Sequence, residues 1–238
     1  MLSTTGRVLR QLRHDHRTLG LVFFMPTVLL TVLYYVFQGN HMVFDGIAPL
    51  LLGIIPFTLM FIVASVAVLR ERTAGTLERL LTSPASKLDI LLGYAFAFAL
   101  LALVQASIAS FVTLSFLSVA IAGSAVSLLV VAMLSGVLGM AFGLLFSAFA
   151  KNEFQAVQFM PAFVLPQFLA CGLFTPREKM AEALQVFSDV MPLTYVVKAL
   201  QEVGSAASWA SDLTVNVLVI SGFIVVALLL GAFSLRSK

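Results

Sequence analysis

The sequence predicts an all-α membrane protein with six spanning helices, and three observations carry that expectation. Of its 238 residues, 61% are hydrophobic and 11% charged, against about 25% charged in ordinary soluble domains. The apolar residues gather in runs of about the 20 residues that a bilayer crossing requires. All 14 Lys and Arg residues fall outside those runs. The expected spans are 19–37, 47–69, 88–119, 125–150, 155–174 and 213–235, within one domain covering 1–238.

Arg7, Arg10, Arg13 and Arg17 recur at near-helical spacing while Val8, Leu9 and Leu12 fall on another face. This is an amphipathic helix suited to an anionic membrane surface. Nucleic-acid binding is disfavoured, since no aromatics interleave with the arginines. His14 and His16 are two residues apart, which does not place them together on a helix as metal ligands.

Leu19 to Phe37 is a retained first span: it is too long for a typical signal-peptide core and has no A-x-A-like cleavage site. A polar loop, Gln38 to Gly46, leads to Ile47 to Leu69, which carries Pro49 and Pro56. The third span runs from Leu88 to about Val119, and a chargeless turn near Gly123 opens the fourth. Lys151-Asn152-Glu153 is a minimal polar turn before the fifth, which contains Pro161 and Pro166. The sixth, Leu213 to Leu235, is closed by Arg236 and Lys238.

The densest mixed-charge stretch lies between the second and third spans, from Arg70 to Lys87. Leu77, Leu80 and Leu81 share an i, i+3, i+4 spacing, giving a short helix with a narrow leucine stripe. Ser83-Pro84 ends it, and Ser86-x-x-Asp89 has the form of a capping box for the next helix. Such a segment suits a helix at the membrane surface, a handle that something outside the membrane can push.

Six spans put both termini on one side. Eleven basic residues, among them Arg7, Arg10, Arg13, Arg17, Arg70, Arg72 and Lys151, lie there, against Arg177, Lys179 and Lys198 opposite. The positive-inside rule makes the termini and the handle cytoplasmic. Thr175 to Asp212 is then an external excursion. Pro176 suits a first helical turn and Met180, Leu184 and Phe187 follow helical spacing. Pro192 opens a second pattern of Val196, Leu200 and Val203, with Gly204 as its expected C-cap. Two amphipathic helices on the outer face, or dipping into it, fit this composition.

No Asp, Glu, Lys or Arg lies deep in a span, where each costs about 2.5–3.5 kcal/mol on insertion scales. The polar residues there are either helix–helix glue or the lining of a path. The candidates for the path are Gln105, Ser110, Thr113, Gln158, Gln167 and Asn216. Gly136, Gly139, Gly143 and Ser147 form a small-x-x-x-small row that permits close helix approach, within one bundle or between chains. The lone Cys171 excludes a disulfide framework and reads as an inert buried residue.

Glu71-Arg72-x-x-Gly75-Thr76-Leu77-Glu78-x-Leu80-Leu81-x-Ser83-Pro84 followed by Gly93 resembles the loop of type-2 ABC transporter permeases. A second match joins Ala170-Cys171-Gly172-Leu173-Phe174-x-Pro176 with Met191-Pro192-Leu193-Thr194-Tyr195. The resemblance covers about residues 5–235. It implies that the handle is a coupling helix docking on a separate ATP-hydrolysing subunit, with Glu71, Arg72, Gly75, Thr76, Leu77, Glu78, Arg79 and Leu80 at that contact. Glu71 and Glu78 would offer charge to the partner, and Leu77 and Leu80 would seat in a groove. It also implies an extracellular gate hairpin containing Pro176, Pro192 and Tyr195.

Three function classes follow. A permease driven by an external ATPase accords with the handle. An ion-coupled transporter usually needs intramembrane carboxylates, and the spans have none. An intramembrane enzyme lacks HExxH and GxSxG, and no GxxxxGK[ST] is present for nucleotide. If ATP is used, a partner must bind it; the resemblance implies that ATP and Mg belong to a partner ATPase, that this chain binds no cofactor and is not itself an enzyme, and that a second permease subunit, identical or paralogous, completes the pair. A path of Phe, Ser, Thr and Gln cannot replace the hydration of a small ion but accepts an amphipathic drug-like molecule or lipid. Export from a bacterial inner membrane is the expected setting, with polysaccharide or lipid-linked glycan export as the alternative.

Overall fold

A computed structural model of the chain describes residues 2–75, 87–206, 209 and 211–234. Among the described residues the fold is all helical. A helix α1 (Leu2–His14) is followed by α2 (His16–Val36), α3 (His41–Thr73), α4 (Lys87–Ser115), α5 (Ala125–Ser147) and α6 (Glu153–Ala170). A single 3-10 turn (Arg177–Lys179) precedes α7 (Glu182–Val190), α8 (Pro192–Ser205) and α9 (Ser211–Ser234). Five of these helices, α2, α3, α4, α5 and α9, are long and apolar enough to cross a membrane. The expected fifth span corresponds to α6, an 18-residue helix carrying Glu153, three glutamines and two prolines, too polar to join that group.

The α3–α5 pair is the centre. At 33 residues, α3 is about 50 Å long, more than the roughly 30 Å hydrocarbon core. It starts at His41 rather than Ile47, so the loop after α2 shrinks to a few residues around Asn40, and it continues four residues beyond Leu69. The small-residue row of α5 explains the closeness. A Cβ at Gly139 would fall 2.0 Å from the Phe57 carbonyl oxygen, and one at Gly143 would fall 2.3 Å from that of Phe61. The Ser135 hydroxyl donates to the Gly53 carbonyl at 2.7 Å. Of the two uses left open for the row, packing inside the bundle is the one observed.

Around this pair, α4, α6, α8 and α9 add their buried faces, and α2 lies at the rim with only Val22, Pro26 and Leu30 buried. Exposed side chains such as Phe24, Phe111, Phe116, Phe154 and Leu218 give the outside an apolar coat, as a lipid-facing surface requires. Rings of Phe61, Phe142, Phe146 and Phe163 from α3, α5 and α6 pack with centroids 4.8–6.0 Å apart, Phe61 and Phe163 stacked and the other pairs tilted.

Several boundaries depart from the expectation for local reasons. Helix α4 stops at Ser115, short of Val119, because Ser118 takes a left-handed φ of 51°. The N–H of Val119 then donates back to the Thr113 carbonyl at 3.2 Å, folding the chain over the end of the helix. Gly204 is not the C-cap of α8, which continues to Ser205 with Ala206 as cap. The carbonyls of Val203 and Gly204 are instead taken by the N–H groups of Gly123 (2.9 Å) and Ala122 (3.1 Å). Gln155 is no membrane-interior polar residue. With Asn152 it caps α6, its N–H donating to Asn152 Oδ1 and its Oε1 accepting from the N–H of Lys151, the residue before the N-cap, both at 2.8 Å. Finally, α8 packs into the bundle. Leu193, Val196, Val197 and Leu200 are fully buried, and Val196 and Leu200 fill the space at Gly53, twelve residues into α3 and so about 18 Å from its start.

Candidate coupling site and path

The last turn of α3 places three charged residues in succession. At about 100° per residue they point three ways, and each finds a different helix. Arg70 reaches α6, with Nε 2.9 Å from Glu153 Oε1 and Nη2 3.1 Å from Glu153 Oε2, while its Nη1 stands 3.8 Å from Asp15. That fork holds the Glu153 carboxyl below its usual range. Glu71 turns inward and is 4% exposed. Its carboxylate accepts from the Tyr94 hydroxyl of α4 and from Arg7 Nη2 of α1 at 2.9 Å, and the same Nη2 lies 3.0 Å from the Tyr94 oxygen. Arg72 crosses to the end of α5, where its guanidinium donates to the carbonyls of Ser147 (3.3 Å), Ala148 (3.1 Å) and Ala150 (3.3 Å). A cation there satisfies helix-end carbonyls and complements the negative end of the dipole.

The helix then ends in an αL turn. Ala74 is the cap, Gly75 has φ +70°, and its N–H donates to the Arg72 carbonyl at 3.2 Å. Only glycine takes that conformation without cost. Of the expected coupling residues, Glu71, Arg72 and Gly75 are thus brought together at the root of the handle. Thr76, Leu77, Glu78, Arg79 and Leu80 lie outside the described residues, as do Ser83-Pro84 and Ser86 of the expected capping box. Glu71 does not present its charge outward: burial among α1 and α4 directs it to Arg7 and Tyr94.

The six candidate path residues separate into different roles. Gln167 is fully buried and bridges helices, its Nε2 donating to the Phe163 carbonyl (2.9 Å) and its Oε1 accepting from the first free N–H of α8, at Leu193 (3.3 Å). Asn216 donates to Glu202 at 3.0 Å, and Thr113 bonds back to the Ala109 carbonyl. Gln158 is exposed on the outside of α6. Among the described residues, Gln105 and Ser110 are buried in α4 without a hydrogen-bond partner for their side chains, a state that costs about 1–3 kcal/mol per group. Of the six, Gln167 and Asn216 tie different helices together, while Gln105 and Ser110 are the buried candidates whose side chains hold neither another helix nor their own.

In the hairpin, Pro192 is the buried first residue of α8. Tyr195, one turn on, donates its hydroxyl to the Asp189 carbonyl at 2.8 Å, and the Asp189 carboxylate pairs with Arg177. Pro176 is exposed and caps the 3-10 turn rather than opening a helix. Arg7, Tyr94, Glu153 and Asp15 were not among the expected site residues. The available signal was weak: a tyrosine at the start of α4 and a carboxylate opening α6, each beside the charged end of α3.

Comparison with known proteins follows the same lines. The family described as ABC-2 type transporter matches residues 2–203. The chain is 29% identical over 157 residues, 66% of its length and 43% of the relative's, to the probable multidrug ABC transporter permease YbhR of Escherichia coli. It is 26% identical over 181 residues, 76% of its length and 47% of the relative's, to the probable multidrug ABC transporter permease YbhS of the same organism. ABC transporter G family member 20 of Dictyostelium discoideum is 23% identical over 164 residues, covering 22% of that protein. The chain spans about half the length of the bacterial relatives it matches.

Proposed function

The chain belongs to the ABC-2 type transporter family, and from that premise we propose that it is the membrane-spanning permease subunit of an ATP-driven exporter. A separate ATPase subunit binds ATP and Mg and docks on the handle at Gly75, Thr76, Leu77, Glu78, Arg79 and Leu80, with Glu71 and Arg72 anchoring its root, and a second permease subunit, identical or paralogous, completes the complex. The cargo is an amphipathic molecule, drug-like or lipid, moved outward across a bacterial inner membrane. The multidrug designation of the bacterial relatives supports the drug-like class.

One observation carries the mechanism: the root of the handle is bonded to four other helices. A push on the handle reaches α1 and α4 through Glu71, α5 through Arg72 and α6 through Arg70. A force applied at one point thereby becomes a movement of the bundle as packed bodies, which is how small shifts are amplified. Gln167 ties α6 to α8, so the same motion reaches the hairpin where Pro192 and Tyr195 sit, the expected outer gate. In this reading α6 is the sixth crossing: its 18 residues rise about 27 Å, and the segment continues apolar to Phe174. Both termini and the handle face the cytoplasm, and 1–238 forms one transmembrane domain.

The test is biochemical. The purified chain hydrolyses no ATP, and its complex with the partner ATPase does. Leu77→Ala with Glu78→Ala uncouples hydrolysis from transport, or prevents assembly, while membrane insertion stays normal. Robust turnover by the chain alone, or unchanged transport in the double variant, contradicts the proposal.

A further inference from the structure

A groove of about 320 Å³ runs between α2 and α3 beneath the end of α1. Its walls are apolar: Leu21 and Met25 from α2, and Ile62, Val63 and Val66 from α3. Leu21 is 63% and Met25 48% exposed, so the groove opens sideways toward the lipid. Its polar end is made by Gln11, Asp15, Thr18 and Arg70. The volume is at the lower bound of drug-sized pockets, about 300–1,000 Å³, and the shape is that of an apolar slot with one polar mouth.

The charges at the mouth decide what fits it. Among the described residues Arg70 is the one cation lining the groove; its Nε and Nη2 are committed to Glu153, and its Nη1 stands 3.8 Å from Asp15. Asp15, Arg70 and Glu153 together carry a net charge of −1, and Asp15, on the groove wall, is the carboxylate that takes no hydrogen bond from the guanidinium. The Asp15 carboxylate is fixed in place, accepting from the Thr18 N–H at 3.1 Å and the Thr18 hydroxyl at 2.7 Å, and those bonds hold its pKa below the usual range. His14, His16 and Arg17 line an adjoining, more open depression that shares Gln11 and Asp15 with the groove. Resting on the reading that the cargo is an amphipath taken from the membrane, we propose that this groove is an entry site for lipophilic cations. The apolar body lies between α2 and α3 and the positive centre faces Asp15. The groove sits at the basic end of the bundle, where an anionic cytoplasmic leaflet concentrates such molecules.

The experiment uses the full chain in lipid nanodiscs, without ATP or ATPase, and two probes of one shape and opposite charge, tetraphenylphosphonium and tetraphenylborate. Binding to nanodiscs without protein is subtracted. The cation binds more tightly than the anion. Asp15→Asn, which keeps an N-cap acceptor for α2, weakens the cation by roughly three- to thirty-fold and leaves the anion unchanged or improved. Ile62→Trp, and the milder Val66→Phe, fill the slot and weaken both probes. Equal binding of the two probes, a change below about twofold in Asp15→Asn, or full binding in both filled variants overturns the proposal. Because no ATPase is present, such a result removes the site and leaves the transport reading to be decided by accumulation.

Discussion

Removing Arg7 tests whether α1 is a working part of the bundle or only a raft on its surface. Arg7 Nη2 lies 2.9 Å from Glu71 Oε2, with the two side chains 35% and 5% exposed. Fully exposed pairs contribute about 0.2–1 kcal/mol, while breaking a buried pair costs about 3–5 kcal/mol because a charge is left stranded. Arg7 is about one-third open, so Arg7→Ala should cost about 1–3 kcal/mol, screening reducing the upper figure. Glu71→Gln keeps an acceptor for the Tyr94 hydroxyl and loses only the charge, and should cost less. The double variant strands no charge and should be more stable than the sum of the single losses implies, by at least about 0.5 kcal/mol. The assay is unfolding of the purified chain in mixed micelles by denaturant, comparing all four proteins at one detergent concentration. Additive losses would refute the pairing. An Arg7→Ala loss below about 0.3 kcal/mol would refute the view that α1 is fastened to the root of the handle.

Other outcomes follow from the same structure. Gly139→Ala, whose Cβ would meet the Phe57 carbonyl at 2.0 Å, should force α3 and α5 apart and cost about 1–3 kcal/mol, seen as a lower unfolding midpoint. Gly222→Ala, where the space is open, is its control. Burial and the nearby Asp212 raise the Glu202 carboxyl above its usual range, against lowering by Asn216 and Lys198, and among the described residues its Oε2 is buried without a partner. The folded chain thus holds this proton better than the unfolded one. Stability should fall as pH rises from the unfolded value of about 4.3 through the raised folded value, and Glu202→Gln should unfold later than wild type at pH 8 and not at pH 4. In a Cys171→Ala background, Ser205→Cys should label from outside the cell and Ser83→Cys only from inside. Labelling of both from one side would contradict the six-crossing topology.

The broad architecture was legible because it depends on composition and period. Apolar runs located α2, α3, α4, α5 and α9, and the Val196, Leu200 and Val203 spacing located α8 and its buried face. Boundaries were less legible, since they are set by hydrogen bonds between distant segments. Nothing near Gly204 says that the N–H groups of residues 122 and 123 will take the last carbonyls of α8. The site was half visible for a similar reason. The sequence shows that Arg70, Glu71 and Arg72 are charged and adjacent, which suggests an exposed loop. Their inclusion in the last turn of α3, with Glu71 inward against Tyr94, depends on where α1 and α4 pack. Gln167 illustrates the same limit, since a buried glutamine reads alike as path lining or as a cap until its partner at Leu193 is known.

The most direct measurement of the central claim is steady-state accumulation of a panel of amphipathic compounds in cells expressing this permease with its ATPase. The account predicts that at least one compound accumulates less with the active ATPase than with a catalytically dead one. Equal accumulation across the panel, together with a surface-glycan defect when the gene is lost, would contradict it and assign the chain to glycan export.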